Sequence, residues 1–591
     1  MNTPKRALIT GLAFLVGAGL ALSGCASKRD DTSSGTTTPA ATDTAADTGE
    51  AQPTEGGETT EAPVVTDEVD PNSVFVFGGS ADPVALDPAL VTDGESIRVA
   101  NQIFESLMGY KEGSAEVEPR LATGYTQSED GLSYTFTLRE GVKFHDGTDF
   151  NADAVCYNYD RWFNWTGTMQ QQNISNYYQL IFEGFKTSDN PDLQDPLYAS
   201  CTTNGDFEAT ITLTRPYGGF IAVAGTIWLA IQSPDAMKQY DADNVEAEEG
   251  SDVRYGEYAT AHPCGTGPFK FDSWEKGQQV TLVRNDDYWG DKAKVAKVII
   301  RNVGDATARM QALQSGEIDA YDMVSPGDLA GLEGAGFQLV PRQPFNILYL
   351  GMDQNTEIFK DVRVRQAFNY GIDKEALIAQ VLPAGSEAAT LFYPPASAGY
   401  AEALEAVNAE VQYTYDPDKA KELLEEAGVM GQTIDFYYPT GTSRPYMPNP
   451  EEIYVALKSQ IEALGMQVNG IPLKWSPEYL EQVKAVEGHS MFIVGSTSST
   501  SSPGLEVFFG TYNIEWGFNN QEIFDLVTSA KGQATAAETD TAYAAASVAI
   551  ALDPPGVPVA HVPVTVALAP NISGYITYPT GSEIYNKVSV G

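Results

Sequence analysis

Residues Glu118 to Arg161, EPRLATGYTQSEDGLSYTFTLREGVKFHDGTDFNADAVCYNYDR, decide how the chain is read. Tyr134, Phe136 and Leu138 alternate with Thr135, Thr137 and Arg139, which predicts a strand with one buried face. Asp146-Gly147 supplies turn chemistry before a second short segment, so the middle reads as a strand and hairpin. A helix follows. Asp149, Asn151 and Asp153 stand ahead of Ala154, Val155, Tyr157 and Tyr159, with capping and acidic residues first, as a helix amino end prefers. Strand, turn and helix in that order indicate an α/β domain.

The chain has 591 residues. Single cores stop growing near ~250 to 300 residues, so several lobes are expected. A composition 42% apolar and 10% aromatic, with 54 Gly and 34 Pro, suits an ordered globular protein with many turns. Its 35 basic residues stand against 80 acidic ones, a formal charge of −45. Neutralising phosphates needs Lys and Arg patches that this balance does not provide, so no nucleic-acid partner is expected. The charge reads as a strongly solvated surface.

At the amino end, Lys5 and Arg6 precede an apolar run from Ala7 to Leu22. The run matches a secretory signal and is shorter than the ~20 residues of a spanning helix. Leu22-Ser23-Gly24-Cys25 resembles a lipobox, which implies a signal peptide over 1–24 and a lipid on Cys25; an ordinary signal with an incidental Cys is the alternative. Residues 25–71 are mostly Thr, Ala, Ser, Gly, Asp and Glu, too poor in apolar surface to offset the entropy of ordering, so a disordered acidic tether is expected. Flexible-chain scaling gives it a reach of roughly 35 to 40 Å. The expected location is the extracytoplasmic side of the cell membrane, held by the lipid anchor.

The words inside the opening stretch are more specific than its pattern. Pro119 to Ala122, Asp130-Gly131-Leu132, Thr135-Phe136 with Leu138-Arg139, Gly141-Val142 to Phe144, and His145-Asp146-Gly147 fall in an order that resembles family 5 of the bacterial extracytoplasmic solute-binding proteins. These are the receptors of dipeptide, oligopeptide and nickel ABC importers. The resemblance continues through Leu86-Asp87-Pro88, Gly265-Thr266-Gly267-Pro268-Phe269, Arg284-Asn285 with Tyr288-Trp289-Gly290, and Asp361-Val362-Arg363-Val364-Arg365-Gln366-Ala367. It implies an α/β, two-lobed, periplasmic-binding-protein-like clamshell of type II with a discontinuous first lobe. Lobe I is expected over 72–338 with a return over 566–591, and lobe II over 339–565. The resemblance also implies a monomeric receptor that hands its solute to an ABC permease.

Several local readings accompany that frame. Gly265 and Gly267 are expected in a tight turn and not a phosphate loop, because Pro268 follows. Arg363 and Arg365 are expected on the solvated face of a helix that buries Val364, Ala367 and Phe368. Asp416-Pro417 should open a helix closed by Gly428, and another should end at Gly465. Cys25 aside, Cys156, Cys201 and Cys264 allow three single pairings; Cys156 with Cys201 is the one chosen, since the first lies in the helix after the hairpin and the second just before the strand-like Phe207 to Leu213. Metal ligation is the weaker alternative, with no C-x-x-C or His pair at helical spacing.

No catalytic set is visible: G-x-S-x-G, H-E-x-x-H and P-loop signatures are absent, and the four histidines, 145, 262, 489 and 561, are isolated. Neither an enzyme nor a cofactor is expected, with a secreted hydrolase as the alternative from another class. Ser443 to Asn449, SRPYMPN, resembles the segment that in peptide-binding members presents an Arg to the ligand's carboxylate. That implies Arg444 as the planar two-bond fork and Tyr446 beside it, against an Arg444 paired with an acid of the protein. Trp475, in LKWSPEYL, matches an aromatic that flanks the site, against a simple core Trp. Peptide-binding members then carry G-W-x-x-D-x-x-D-P, whose first Asp pairs with the ammonium group. Here Gly495 to Pro503 reads GSTSSTSSP, and Ser499 falls where that Asp would be. A buried ammonium would lose its partner at a cost of several kcal/mol. Peptides remain the default ligand class, with an oligosaccharide or other non-peptide solute as the alternative and Glu506 as a substitute acid.

Overall fold

The structure, a computed structural model, describes residues 70–247, 253–498 and 502–591. Cys25, the signal, nearly all of the tether, and Ser499 lie outside the described residues. Among the described residues no helix is long and apolar enough to cross a membrane.

The opening stretch folds much as its pattern dictates. Ser133–Leu138 is a strand that buries Tyr134, Phe136 and Leu138. On its other face, Thr135 meets Thr210 across the sheet, hydroxyl to hydroxyl at 2.9 Å. Asn151 caps helix Ala152–Phe163 by accepting from the amide of Ala154. The hairpin is smaller than expected. Asp146-Gly147 turns the chain, with Gly147 at φ 87°, but only Lys143 and Asp149 bridge across it. The strand's real partners are Ala122–Gln127 and Glu208–Leu213, in a four-stranded antiparallel sheet completed by Tyr198–Thr203. Cys156 and Cys201 are joined by a disulfide between the helix and this sheet, with Cα atoms 5.1 Å apart. Cys264 is a free, buried thiol, and burial pushes its pKa up to about 12.

Two larger sheets, each with its own apolar core, make the two lobes of the clamshell. The first runs Phe269–Glu275, Gln279–Arg284, Lys297–Asn302, Val74–Gly79, Ala320–Tyr321, Val564–Leu568, Gln338–Arg342. The second runs Glu387–Ala388, Gly556–His561, Asn346–Met352, Met491–Thr497, Thr433–Thr440, Gln467–Lys474. Val564–Leu568 pairs antiparallel with Gln338–Arg342, so the chain's last segment closes the first lobe, which is therefore discontinuous. The crossings lie at 343–345 and 562–563, a few residues from the expected borders at 338/339 and 565/566, because strand pairing continues to Arg342 and resumes at Val564.

One local expectation gives way to tertiary contacts, and another gains a further cause. The chain bends over 266–268, with positive φ at neither Gly265 nor Gly267. A side chain at Gly265 would lie 2.2 Å from the carbonyl oxygen of Ile103, and the amide of Gly267 donates to that same oxygen at 2.8 Å, so close backbone approach is what demands glycine. Arg365 is not on a solvated face. It is buried, donating to the carbonyls of Phe359 and Pro554 and pairing with Asp553, while Arg363 does reach solvent beside Asp361. The helices at Asp416-Pro417 and before Gly465 form as read, over Pro417–Glu426 and Pro450–Ala463.

Candidate functional site

The two crossings leave a cavity of about 730 Å³ between the lobes. Its second-lobe wall begins where strand Thr433–Thr440 ends. Arg444 and Met447 exchange backbone hydrogen bonds there, at 3.0 and 2.9 Å, and Met447 is fully buried. That small clasp fixes the backbone on either side of Tyr446. Arg444, Tyr446 and Trp475 all line the cavity, together with Thr497 and Ser498. The guanidinium carbon of Arg444 stands 4.2 Å over the Trp475 ring, and Trp475 stacks in turn on Tyr479.

Among the described residues, no carboxylate pairs with Arg444, and its buried Nε has no hydrogen-bond partner. A stacked guanidinium held in this way has its donors free for an anion in the cavity. The ring of Tyr446 lies across Gly495, where a side-chain carbon would come within 2.4 Å of it. Burial, outweighing the nearby Arg444, pushes the Tyr446 hydroxyl up to about 12.

The first-lobe wall is built from pairs that the sequence pattern did not reveal. Asp93 caps helix Gly94–Ile103 through the amide of Ser96. Within the first turn, buried Glu95 accepts from the amide and hydroxyl of Ser80 and pairs with Arg98 at 3.1 Å. Arg98 also reaches Asp322 at 2.9 Å and lies over Phe77. Arg342, at the first crossing, bridges Asp322 at 3.4 Å and Glu583 at 2.6 Å. Burial alone would raise the Asp322 pKa; the Arg98 and Arg342 guanidiniums outweigh it and hold the carboxyl below its usual range. Glu95, Asp322 and Glu583 are thus each matched by an arginine, unlike Arg444 opposite, while Asp93 serves only the helix amide. Beside it Tyr177 and Trp228 stack with ring centres 3.4 Å apart.

Three of the four ligand contacts read from the sequence therefore meet in one cleft, and the fourth, Ser499, is outside the described residues. Glu506 is engaged elsewhere, accepting from the Tyr543 hydroxyl at 2.8 Å. Among the described residues no group of three His, Cys, Asp or Glu side chains is placed to hold a metal.

Residues 116–516 match the family model described as bacterial extracellular solute-binding proteins, family 5. The chain is 31% identical over 542 residues to heme-binding protein A of Haemophilus influenzae, covering 88% of this chain and 92% of that one. It is 28% identical over 537 residues to the dipeptide-binding protein of Escherichia coli, covering 87% and 94%. The solved structure of HbpA2 from Haemophilus parasuis superposes with a TM-score of 0.72 at 25% identity, over 88% of this chain and 100% of that one.

Proposed function

We propose, from the premise that this chain belongs to the bacterial extracellular solute-binding proteins of family 5, that it captures a peptide-class solute with a free carboxylate and delivers it to an ABC permease. Proteins of this family are extracytoplasmic and bind solutes without transforming them. The observation that carries the reading is Arg444: a guanidinium stacked on Trp475, on the wall of a cavity large enough for a short peptide, with no acid of its own among the described residues. A carboxylate arriving there forms two charge-assisted hydrogen bonds in a partly dry site. The bound solute touches both lobes, so its affinity favours the closed state by the difference between its contacts in the closed and open forms. That closed state is what a permease would recognise. A lipid on Cys25 and the acidic segment behind it would keep the receptor within reach of the membrane.

The second reading is an oligosaccharide. It draws on the Ser- and Thr-rich run Gly495 to Pro503 and on the flat faces of Trp475 and of Trp228 with Tyr177. Melting curves of the protein against di- to pentapeptides, oligosaccharides and nickel salts separate the two. A true ligand at about 100 times its Kd adds about 2.7 kcal/mol of stability. Stabilisation by sugars and not by peptides decides for the second reading, and turnover of a ligand without stabilisation decides for an enzyme.

A further inference from the structure

A second chamber of about 570 Å³ adjoins the cleft, and Gln343, in the first crossing, lines both. Its walls come from the four-stranded sheet, at Tyr125 and Gln127, and from the second lobe, at Ser397, Ser502 and Asp540. Among the described residues no Lys or Arg lines it. Asp540, in helix Ala536–Leu552, is half-buried, and among the described residues its carboxylate pairs with no cation. Gly399, at φ +67°, lies against it, where any side chain would come within 2.9 Å, so glycine leaves the acid its room. Burial, and then the neighbouring Glu402, raise the carboxyl's pKa, a cost that an arriving cation reverses. A second orphan sits in the same chamber: Ser397 is only 6% exposed, and among the described residues its buried hydroxyl has no hydrogen-bond partner.

The first chamber thus holds the unmatched Arg444 guanidinium, with the helix-capping carboxylate of Asp93 on its other wall, and the second holds the unmatched Asp540 carboxylate. We propose, resting on the peptide reading above, that Asp540 and Ser397 receive the ammonium end of a linear zwitterion whose carboxylate is held by Arg444, so that the solute is a peptide longer than two residues lying through both chambers. The run Gly495 to Pro503 carries no acidic residue. The termini of an extended dipeptide are about 7 Å apart, a span that the first chamber holds alone. In that chamber the amine would meet Asp93, whose carboxylate already accepts from the Ser96 amide, whereas a longer chain carries the amine past Gln343 to the unengaged Asp540.

The test uses the whole protein and four probes: equimolar libraries of free tetrapeptides, of N-acetylated tetrapeptides, of C-amidated tetrapeptides, and of free dipeptides, with affinities from competition calorimetry. The free tetrapeptides are expected to bind at least tenfold tighter than the acetylated ones and than the dipeptides. Asp540→Asn is expected to weaken the free tetrapeptides at least tenfold, to leave the acetylated ones unchanged, and to keep the wild-type melting temperature. Asp540→Asn within twofold of wild type on free tetrapeptides overturns the assignment, as does equal binding of dipeptides and tetrapeptides. If instead none of the libraries binds the wild type, or if amidation and Arg444→Ala are both without effect, the peptide reading itself has failed and takes this inference with it. Acetylation needs no substitution, so its arm stands even if the variant misfolds.

Discussion

Replacing Arg444 by Ala removes the group on which solute capture is argued to turn, and the structure sets the size of the effect. In the free protein the guanidinium pairs with no acid among the described residues, so its loss strands no buried anion. What goes is its stack on Trp475, worth about 0.5–1 kcal/mol, so the unfolding free energy should change by no more than about 1 kcal/mol. In the complex, truncation leaves a ligand carboxylate unpaired in the cleft, which costs about 2–5 kcal/mol. The middle of that range, about 3.5 kcal/mol, is about 300-fold in Kd at tenfold per 1.4 kcal/mol. Arg444→Lys keeps the charge but loses the planar fork and the stack, and should recover part of the loss. Calorimetric titration of wild type and both variants with a free peptide and its C-terminal amide closes a double-mutant cycle. Amidation should weaken wild type about as much as Arg444→Ala does, and should have no effect on the variant. An Arg444→Ala affinity within about threefold of wild type, or an amide penalty that persists in the variant, refutes the reasoning.

Three other outcomes follow from the geometry. Asp322→Asn breaks a buried pair on the cleft wall, which ordinarily costs 3–5 kcal/mol; because Arg98 keeps Glu95 and Arg342 keeps Glu583, a loss of about 3 kcal/mol in urea unfolding is expected, and a loss below about 1 kcal/mol contradicts the network. His561 lies fully buried at the second crossing beside the carbonyl of Asn346, and burial lowers its pKa to about 4. The unfolded chain takes up that proton near pH 6.5 and the folded one only near 4, so this stabilisation is complete above pH 6.5 and lost as the pH falls through that window. By pH 5 about 2 kcal/mol should be gone, seen as a steeper loss in wild type than in His561→Gln; parallel losses count against it. Cys25→Ala should release the protein from the membrane fraction, and continued anchoring would refute the lipid attachment.

What the sequence made legible, and what it did not, divides along contact range. Alternation at Tyr134, Phe136 and Leu138, the Asn151 cap and the Asp416-Pro417 helix start are local signals, and each stands in the structure where it was read. Arg444, Tyr446 and Trp475 were placed by family resemblance, and their meeting in one cavity depends on the return of the chain from Thr440 to Lys474 along paired parallel strands. The matched charges on the opposite wall had no local signature, because Arg98 finds Asp322 at a separation of 224 residues and Arg342 finds Glu583 at 241. Arg365 was misplaced for the same reason: a charged residue on a helix reads as solvated until Asp553, 188 residues away, arrives to pair with it. Gly265 and Gly267 carried a turn's signature, yet their need for glycine comes from the backbone of Ile103 pressing against them. Asp540 gave no signal in a chain so rich in acids; its place in a cavity with neither a cation nor a hydrogen-bond donor on its carboxylate among the described residues sets it apart.

Lobe closure around a solute is read most directly by small-angle X-ray scattering of the protein alone and saturated with the peptide that stabilises it most. The radius of gyration should fall when that peptide is added to wild type, and should stay at the unliganded value for Arg444→Ala at the same peptide concentration. A scattering profile unchanged by peptide, under conditions where calorimetry reports full occupancy, would contradict a hinged receptor and leave a rigid binding protein in its place.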